Sequence, residues 1–155
     1  MPVYLLDTNV VSESYKALRG RADPSASAWL ADVALAHCAI SSLTLMELEI
    51  GVLRMERRDA AQGALLRAWV EQRVIPEFSS RVLPVDAAVA LRCARLQVPN
   101  PACERDALIA ATALVHGLTV VTRNEADFTA TGVPLFNPWR RWTVQENRGR
   151  YIAVP

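Results

Sequence analysis

Short apolar runs alternate along this chain with longer stretches in which apolar residues recur at helical spacing. VYLL at 3–6, HCAIS at 37–41 and LTVVT at 118–122 have the length and apolar or β-branched content of buried strands. VLPV at 82–85 contains Pro84, which cannot donate to a ladder, so this run suits a sheet edge. VPLF at 133–136 follows Gly132 and closes the series. The intervening segments predict helices. Asp23-Pro24 reads as an N-cap followed by proline in the first turn, opening a helix that runs to about 36. Segments 42–55 and 59–74 are amphipathic, as at Leu66, Val70 and Val74. Asp86 caps AAVALRCARL, and an apolar helix over 103–115 is stopped at Gly117. Strands alternating with helices predict an α/β fold in three layers, α/β/α, around a central, mostly parallel sheet of about five strands.

The 155 residues fit one domain, and no repeat, low-complexity tract or linker divides them. Residues 1–155 therefore read as a single domain that ends in a basic, aromatic tail over about 138–155. With 52% hydrophobic and 21% charged residues, a packed core is expected rather than disorder. No apolar run approaches the roughly 18–20 residues that cross a bilayer. The opening MPVYLLDTNV lacks the basic start of a signal peptide, so a cytoplasmic protein without membrane association is expected. Cys38, Cys93 and Cys103 are odd in number and far apart, and His37 and His116 are equally scattered, which argues against a disulfide framework or a zinc site. Net charge is only +1, so no global field announces a nucleic-acid partner.

The acids carry more information than the total charge. In open α/β sheets, ligands gather beyond the carboxyl ends of the strands, at the point where strand order reverses. Asp7, Thr8 and Asn9 arrive directly after the first apolar strand; an N-cap explains one of these polar residues but not three. Glu47 lies one turn into the helix after the second strand. It fits either a capping box begun by Thr44 or a side chain projecting into the same cleft. Asp106 opens a nearly all-apolar helix whose first turn must lie against the sheet, with Glu104 about 200° away around the axis. After the LTVVT strand come Asn124 and Asp127, either of which can meet Asp7 if the first and fourth strands are neighbours.

Carboxylates forced together repel, and a hard divalent cation with oxygen ligands, Mg²⁺ or Mn²⁺, relieves that repulsion. No Ser, Cys or His nucleophile constellation accompanies these acids, which points to metal-assisted hydrolysis of a phosphodiester rather than covalent catalysis. The absence of a DxD pair, a Gly-rich phosphate loop and a placed lysine disfavours a phosphotransferase.

LLDTNV at 5–10, SSLTLMELEIGV at 41–52, RDALIAATA at 105–113 and TRNEADF at 122–128 resemble, in order and spacing, the four acidic motifs of PIN domains. The pattern is similar to the VapC toxins of bacterial toxin–antitoxin pairs, and LFNPWRRW at 135–142 is similar to their FitB-like branch. This resemblance covers nearly the whole chain. It implies a Mg²⁺- or Mn²⁺-dependent endoribonuclease, a neutralising VapB-like antitoxin as partner, RNA as substrate, and a homodimer. It also implies that Asp7, Glu47, Asp106 and Asp127 form the catalytic and metal-binding acids, with Asp7 and Asp106 as direct ligands. Thr8, Asn9 and Asn124 are then polar supporters, Asn124 standing where some members carry an acid.

Cations beside the acids are needed to hold phosphates, and Arg123 and Arg105 are placed for that task. Arg140, Arg141, Arg148 and Arg150 alternate with Trp139, Trp142 and Tyr151 in the tail, either to stack on bases or to anchor the terminus to the core. The helical pair carrying Leu65, Leu66, Trp69 and Val70 offers either ordinary packing or a groove for the antitoxin. The alternative to a nuclease is a catalytically weak PIN-like module that binds RNA or protein, a reading encouraged by Asn124.

Overall fold

A computed structural model describes residues 1–140. Five strands form one parallel sheet: β1 (Tyr4–Leu6), β2 (Cys38–Ser41), β3 (Val82–Leu83), β4 (Thr119–Val121) and β5 (Leu135–Phe136), in spatial order β3-β2-β1-β4-β5. Pro84 follows the edge strand, as its missing donor requires. Strand order reverses between β1 and β4, which pair Leu6 with Val121. That reversal fixes where a ligand crevice opens.

Side-chain alternation divides the core into two layers. Leu6, Cys38, Ile40 and Val121 face one cluster with Trp29, Trp69 and Phe78, whereas Leu5, Ala39 and Val120 face another with Ile109, Ala110 and Phe128. The first layer is covered by α1 (Thr8–Leu18), α2 (Pro24–Asp32), α3 (Ser42–Arg58), α4 (Ala60–Trp69) and α5 (Ile75–Phe78). The second is covered by α7 (Glu104–His116), against which α6 (Ala87–Gln97) packs through Val89, Cys93, Ala107 and Ala111. A short α8 (Glu125–Phe128) follows β4.

Local chemistry explains the boundaries. The Asp23 carboxylate accepts from Ala26 N–H at 2.9 Å, and that of Asp86 from Val89 N–H at 3.0 Å. Gly117, at φ 66°, ends α7 in the left-handed conformation that a Cβ disfavours. Two expected limits move. The helix from Pro24 stops at Asp32, and a 3-10 turn at Leu35–His37 leads into β2. Beyond α4 the chain does not stop at 74. A π-helical turn, Val70–Val74, passes into α5, so that Phe78 also reaches the core. Pro76 lies just past that π-helical turn and brings no N–H to the continuing helix.

The α3–α4 hairpin closes tightly: a Cβ on Gly63 would lie 2.5 Å from Glu56 Cα. Arg67 clamps the pair, reaching Glu56 at 2.6 Å and Glu49 at 3.0 Å. Among the described residues no helix is long and apolar enough to cross a membrane. The tail beyond Arg140, with Arg141, Trp142, Arg148, Arg150 and Tyr151, lies outside the described residues.

Candidate active site

The site begins where β1 ends. Asp7 N–H still belongs to the sheet, donating to Val121 O at 2.9 Å, while its side chain starts α1 by accepting from Thr8 N–H at 2.8 Å. The N-cap and cleft readings of Asp7 therefore hold together. Its second oxygen accepts from Thr122 Oγ1 at 2.8 Å and from Asn9 Nδ2 at 3.1 Å. Thr122 is the residue after β4, brought beside Asp7 by the Leu6–Val121 register. Asn9 also accepts Arg123 N–H at 3.1 Å, so α1 is latched to the turn after β4. Asp7 is only 6% exposed. Burial raises its pKa above the ordinary value, and the charge of Glu47 adds to this; the bonds from Thr122, Thr8 and Asn9 offset it in part.

Glu47 reaches the same place from α3. Of the two alternatives for Glu47, the structure takes the cleft and not the capping box begun at Thr44. β2 ends one turn earlier, and Ser41, extended at φ −80° and ψ 152°, caps α3 by accepting Leu43 N–H at 3.1 Å. Thr44 is buried, within 3.5 Å of Thr8 Oγ1, and Glu47 accepts from Thr8 Oγ1 at 3.0 Å. Thr8 thus ties the first acid's helix to the second acid.

Asp106, in the first turn of α7, lines the same cleft of about 390 Å³ as Asp7, Thr8, Asn9 and Glu47. Its pKa is also raised, first by burial and then by the charges of Asp127 and Asp7, against a lowering hydrogen bond with Cys103. Asp127 is exposed on α8 and is not part of the cleft wall, although its charge reaches Asp106. Asn124 does line the cleft, its N–H donating to Thr122 Oγ1 at 3.0 Å. Of the two expected cations, Arg123 lines the cleft with its guanidinium 5.7 Å from the centre of the Trp139 ring. Arg105 is exposed and stands outside the wall. Trp139 also packs against the core, which is the anchoring role considered for it.

Several residues of the site escape a reading of the sequence. Thr122 lies within a recognised motif, and only the pairing of β1 with β4 singles it out. Thr44 fits a cap that does not form. Glu13 and Lys16 line the cleft from α1, and Glu13 is buried three residues after Val10, on the helix's apolar stripe. An acid on such a stripe is the available signal.

The donor set suits a hard cation. It is all oxygen, and among the described residues none of Asp7, Glu47, Asp106 and Asp127 is paired with Lys, Arg or His. Two of them are held neutral to higher pH than usual by burial and mutual repulsion, strain that a bound positive ion relieves. Among the described residues no three His, Cys, Asp or Glu side chains converge closely enough to cage an ion by themselves. Mg²⁺ requires no such cage, since it takes one or two carboxylates and keeps several waters.

An apolar groove of about 250 Å³ lies elsewhere, among Leu18, Leu30, Leu35, Trp69, Val74 and Phe78. Of the residues expected to form a partner groove, Trp69 and Val70 are buried in the core, Leu66 is half-buried, and Leu65 is 52% exposed.

Comparison with known proteins gives a consistent result. The family model of the PIN domain matches residues 4–133. Toxin FitB of Neisseria gonorrhoeae is 36% identical over 140 residues, covering 87% of this chain and 97% of that protein. VapC ribonuclease Y4jK of Sinorhizobium fredii is 34% identical over 143 residues, covering 87% of this chain and 96% of its own length. Among solved structures, FitAcB from Neisseria gonorrhoeae superposes with a TM-score of 0.81 at 36% identity, over 89% of this chain and 99% of that one. The DNA-bound VapBC of Salmonella typhimurium superposes at 0.66 with 27% identity, over 89% and 99%.

Proposed function

The chain belongs to the PIN-domain family, and on that premise we propose that it is a divalent-cation-dependent endoribonuclease, the toxin of a toxin–antitoxin pair acting in the cytoplasm. One observation carries the chemistry: Asp7 and Asp106, far apart in sequence, line one cleft at the reversal of strand order together with Glu47. The names of the relatives, a toxin and a VapC ribonuclease, support the substrate class and the role.

In this reading Asp7 and Asp106 would hold Mg²⁺ or Mn²⁺, with Glu47 beside them in the cleft and Asp127 contributing its charge from outside it. The ion, when bound, lowers the pKa of a water and polarises a phosphoryl oxygen. The chain's own residues set the stage. Thr8, Asn9 and Thr122 fix the Asp7 carboxylate, so that it loses no orientation when substrate enters. Thr8 aims Glu47 into the cleft, where an ionised carboxylate can orient an attacking water or take its proton. Arg123, steadied over Trp139, faces the entering strand and can pair with a phosphate oxygen.

The antitoxin and a second copy of the chain are the proposed protein partners. The solved neighbours named as FitAcB and VapBC support the antitoxin, and the apolar groove beside Trp69 and Phe78 offers it a surface.

Incubation of purified protein with total cellular RNA, with Mg²⁺ or Mn²⁺ and then with chelator, tests the proposal. Cleavage that needs the ion and disappears in Asp7→Asn and Asp106→Asn is expected. Cleavage by Asp7→Asn at the wild-type rate would end the reading. The second reading, a PIN-like module that binds RNA or protein without cutting, draws on Asn124 in the cleft wall and on the absence of three converging ligands among the described residues. RNA binding without any ion-dependent cleavage would favour it.

A further inference from the structure

Resting on the nuclease reading of the cleft, we infer that Lys16 is the phosphate-binding cation of its α1 wall and that Glu13 is the positioning residue that holds it there. Both side chains line the cleft that contains Asp7, Glu47 and Asp106. Glu13 is 3% exposed although it is an acid on a helix. One of its oxygens accepts Asp23 N–H at 2.6 Å, which ties α1 to the start of α2. The other pairs with Lys16 Nζ at 3.4 Å, and the lysine side chain is 51% exposed. The pair is therefore lopsided: its carboxylate is fixed in the fold and its ammonium reaches water at the rim.

Two features separate this arrangement from an ordinary surface ion pair, whose net effect is small. The first is rigidity. A long, flexible lysine arm loses freedom when it grips a ligand. Here Glu13, clamped by Asp23 N–H, holds the arm in place beforehand, and the ammonium keeps N–H donors for phosphate oxygens. The second is the charge of the wall. Asp7, Glu13, Glu47 and Asp106 line the cleft, and the cations that line it among the described residues are Lys16 and Arg123. Arg123 stands on the turn after β4 and Lys16 on α1, so the acids are reached by positive groups on two separate elements. A polyanion drawn to the acidic centre needs such groups for the phosphates that flank the scissile one. Lys16 is also the chain's only lysine among 17 basic residues.

The test uses a single-stranded RNA oligonucleotide and the full chain. Binding is measured by fluorescence anisotropy in chelator over a salt series, and cleavage by initial rates with Mg²⁺ or Mn²⁺. For Lys16→Gln, the slope of log affinity against log salt should fall by about 0.7, the value of one phosphate contact on a single strand. KM should rise roughly ten-fold, with kcat within about two-fold of wild type. Lys16→Arg should recover most of the affinity. Glu13→Gln keeps an acceptor for Asp23 N–H but loses the tether. It should raise KM less than Lys16→Gln does, and the two changes should be less than additive together. If wild type binds RNA and Lys16→Gln keeps the same slope and KM, the inference is wrong while the nuclease reading stands. If wild type neither binds nor cleaves RNA, both fall.

Discussion

Replacing Asp7 by Asn separates the cost of this acid to the fold from its use to the site. Asp7 is 6% exposed and accepts three hydrogen bonds, from Thr8 N–H, Thr122 Oγ1 and Asn9 Nδ2. Its pKa nonetheless lies above the ordinary 3.8, because burial and the nearby Glu47 outweigh those bonds. A carboxyl whose native pKa is raised binds more protons in the native state than in the unfolded one. Stability therefore falls as pH climbs from 3.8 through the raised value, and above that window the ionised group weighs on the fold. Asn at this position removes the charge and keeps an oxygen for Thr8 N–H, but its amide nitrogen stands where Thr122 Oγ1 and Asn9 Nδ2 both donate. Two hydrogen bonds are lost, at about 1 kcal/mol each.

Relief and loss thus oppose each other, so without ions the variant should be destabilised by less than the roughly 2 kcal/mol of the lost bonds, a Tm fall of less than about 6 °C. Divalent ions should widen that difference. At roughly a hundred times its Kd, an ion adds about 2.7 kcal/mol to the wild type, and little to the variant. Thermal unfolding followed by circular dichroism, in chelator and across a Mg²⁺ or Mn²⁺ series, measures both quantities. Destabilisation of several kcal/mol in chelator would show that the hydrogen bonds, not burial, dominate at Asp7. An ion-induced rise as large in the variant as in wild type would remove Asp7 from the ion's ligands.

The other acids and their supports make separate predictions. Asp127→Asn removes a charge that raises the pKa of Asp106, so the acidic limb of the cleavage pH profile should move to lower pH. Asn124→Asp places a new carboxylate in the cleft wall and should tighten divalent-ion binding in titration calorimetry. Thr8→Val deletes the 3.0 Å donor to Glu47; kcat should fall roughly ten-fold, while denaturant melts shift by about 1 kcal/mol. Gly63→Ala drives a Cβ to 2.5 Å from Glu56 Cα, so urea unfolding should register about 1–3 kcal/mol of destabilisation with cleavage per folded molecule unchanged.

Much of the fold was legible because its signals are local. An apolar strand followed at once by Asp-Thr-Asn announced the end of β1, Pro84 announced an edge, and Asp23, Asp86 and Gly117 marked helix ends through their own hydrogen bonds or backbone angles. The chain beyond Val74 was not legible in the same way. There the helix continues through a π-helical turn into α5 and carries Phe78 to the core, although Pro76, which lacks an N–H, reads locally as a stop. Thr44 left two readings open for a related reason. Its sequence context fits a capping box, but the box needs Thr44 itself to stand outside the helix, and α3 begins at Ser42 with Ser41 as its cap.

The site shows the same boundary between local and non-local information. Asp7 and Asp106 could be picked out because each interrupts an apolar element at its end, and the fold supplies only their meeting. The fourth acid depends on how α8 leaves β4. A turn of four residues turns Asp127 outward, within electrostatic reach of Asp106, while Asn124, three positions earlier, faces the cleft. Spacing alone cannot choose between positions that lie on different sides of so short a helix. Glu13 and Lys16 pose the converse case. Three residues apart on α1, they read in sequence as a routine helical ion pair of the solvated kind. The burial of one partner by Asp23 and the start of α2, contacts made ten residues along the chain, is what turns that pair inward to the acidic cleft. Charge placement in this protein is thus set less by which residues are charged than by which of them the packing of α1 and α8 turns toward the carboxyl ends of β1 and β4.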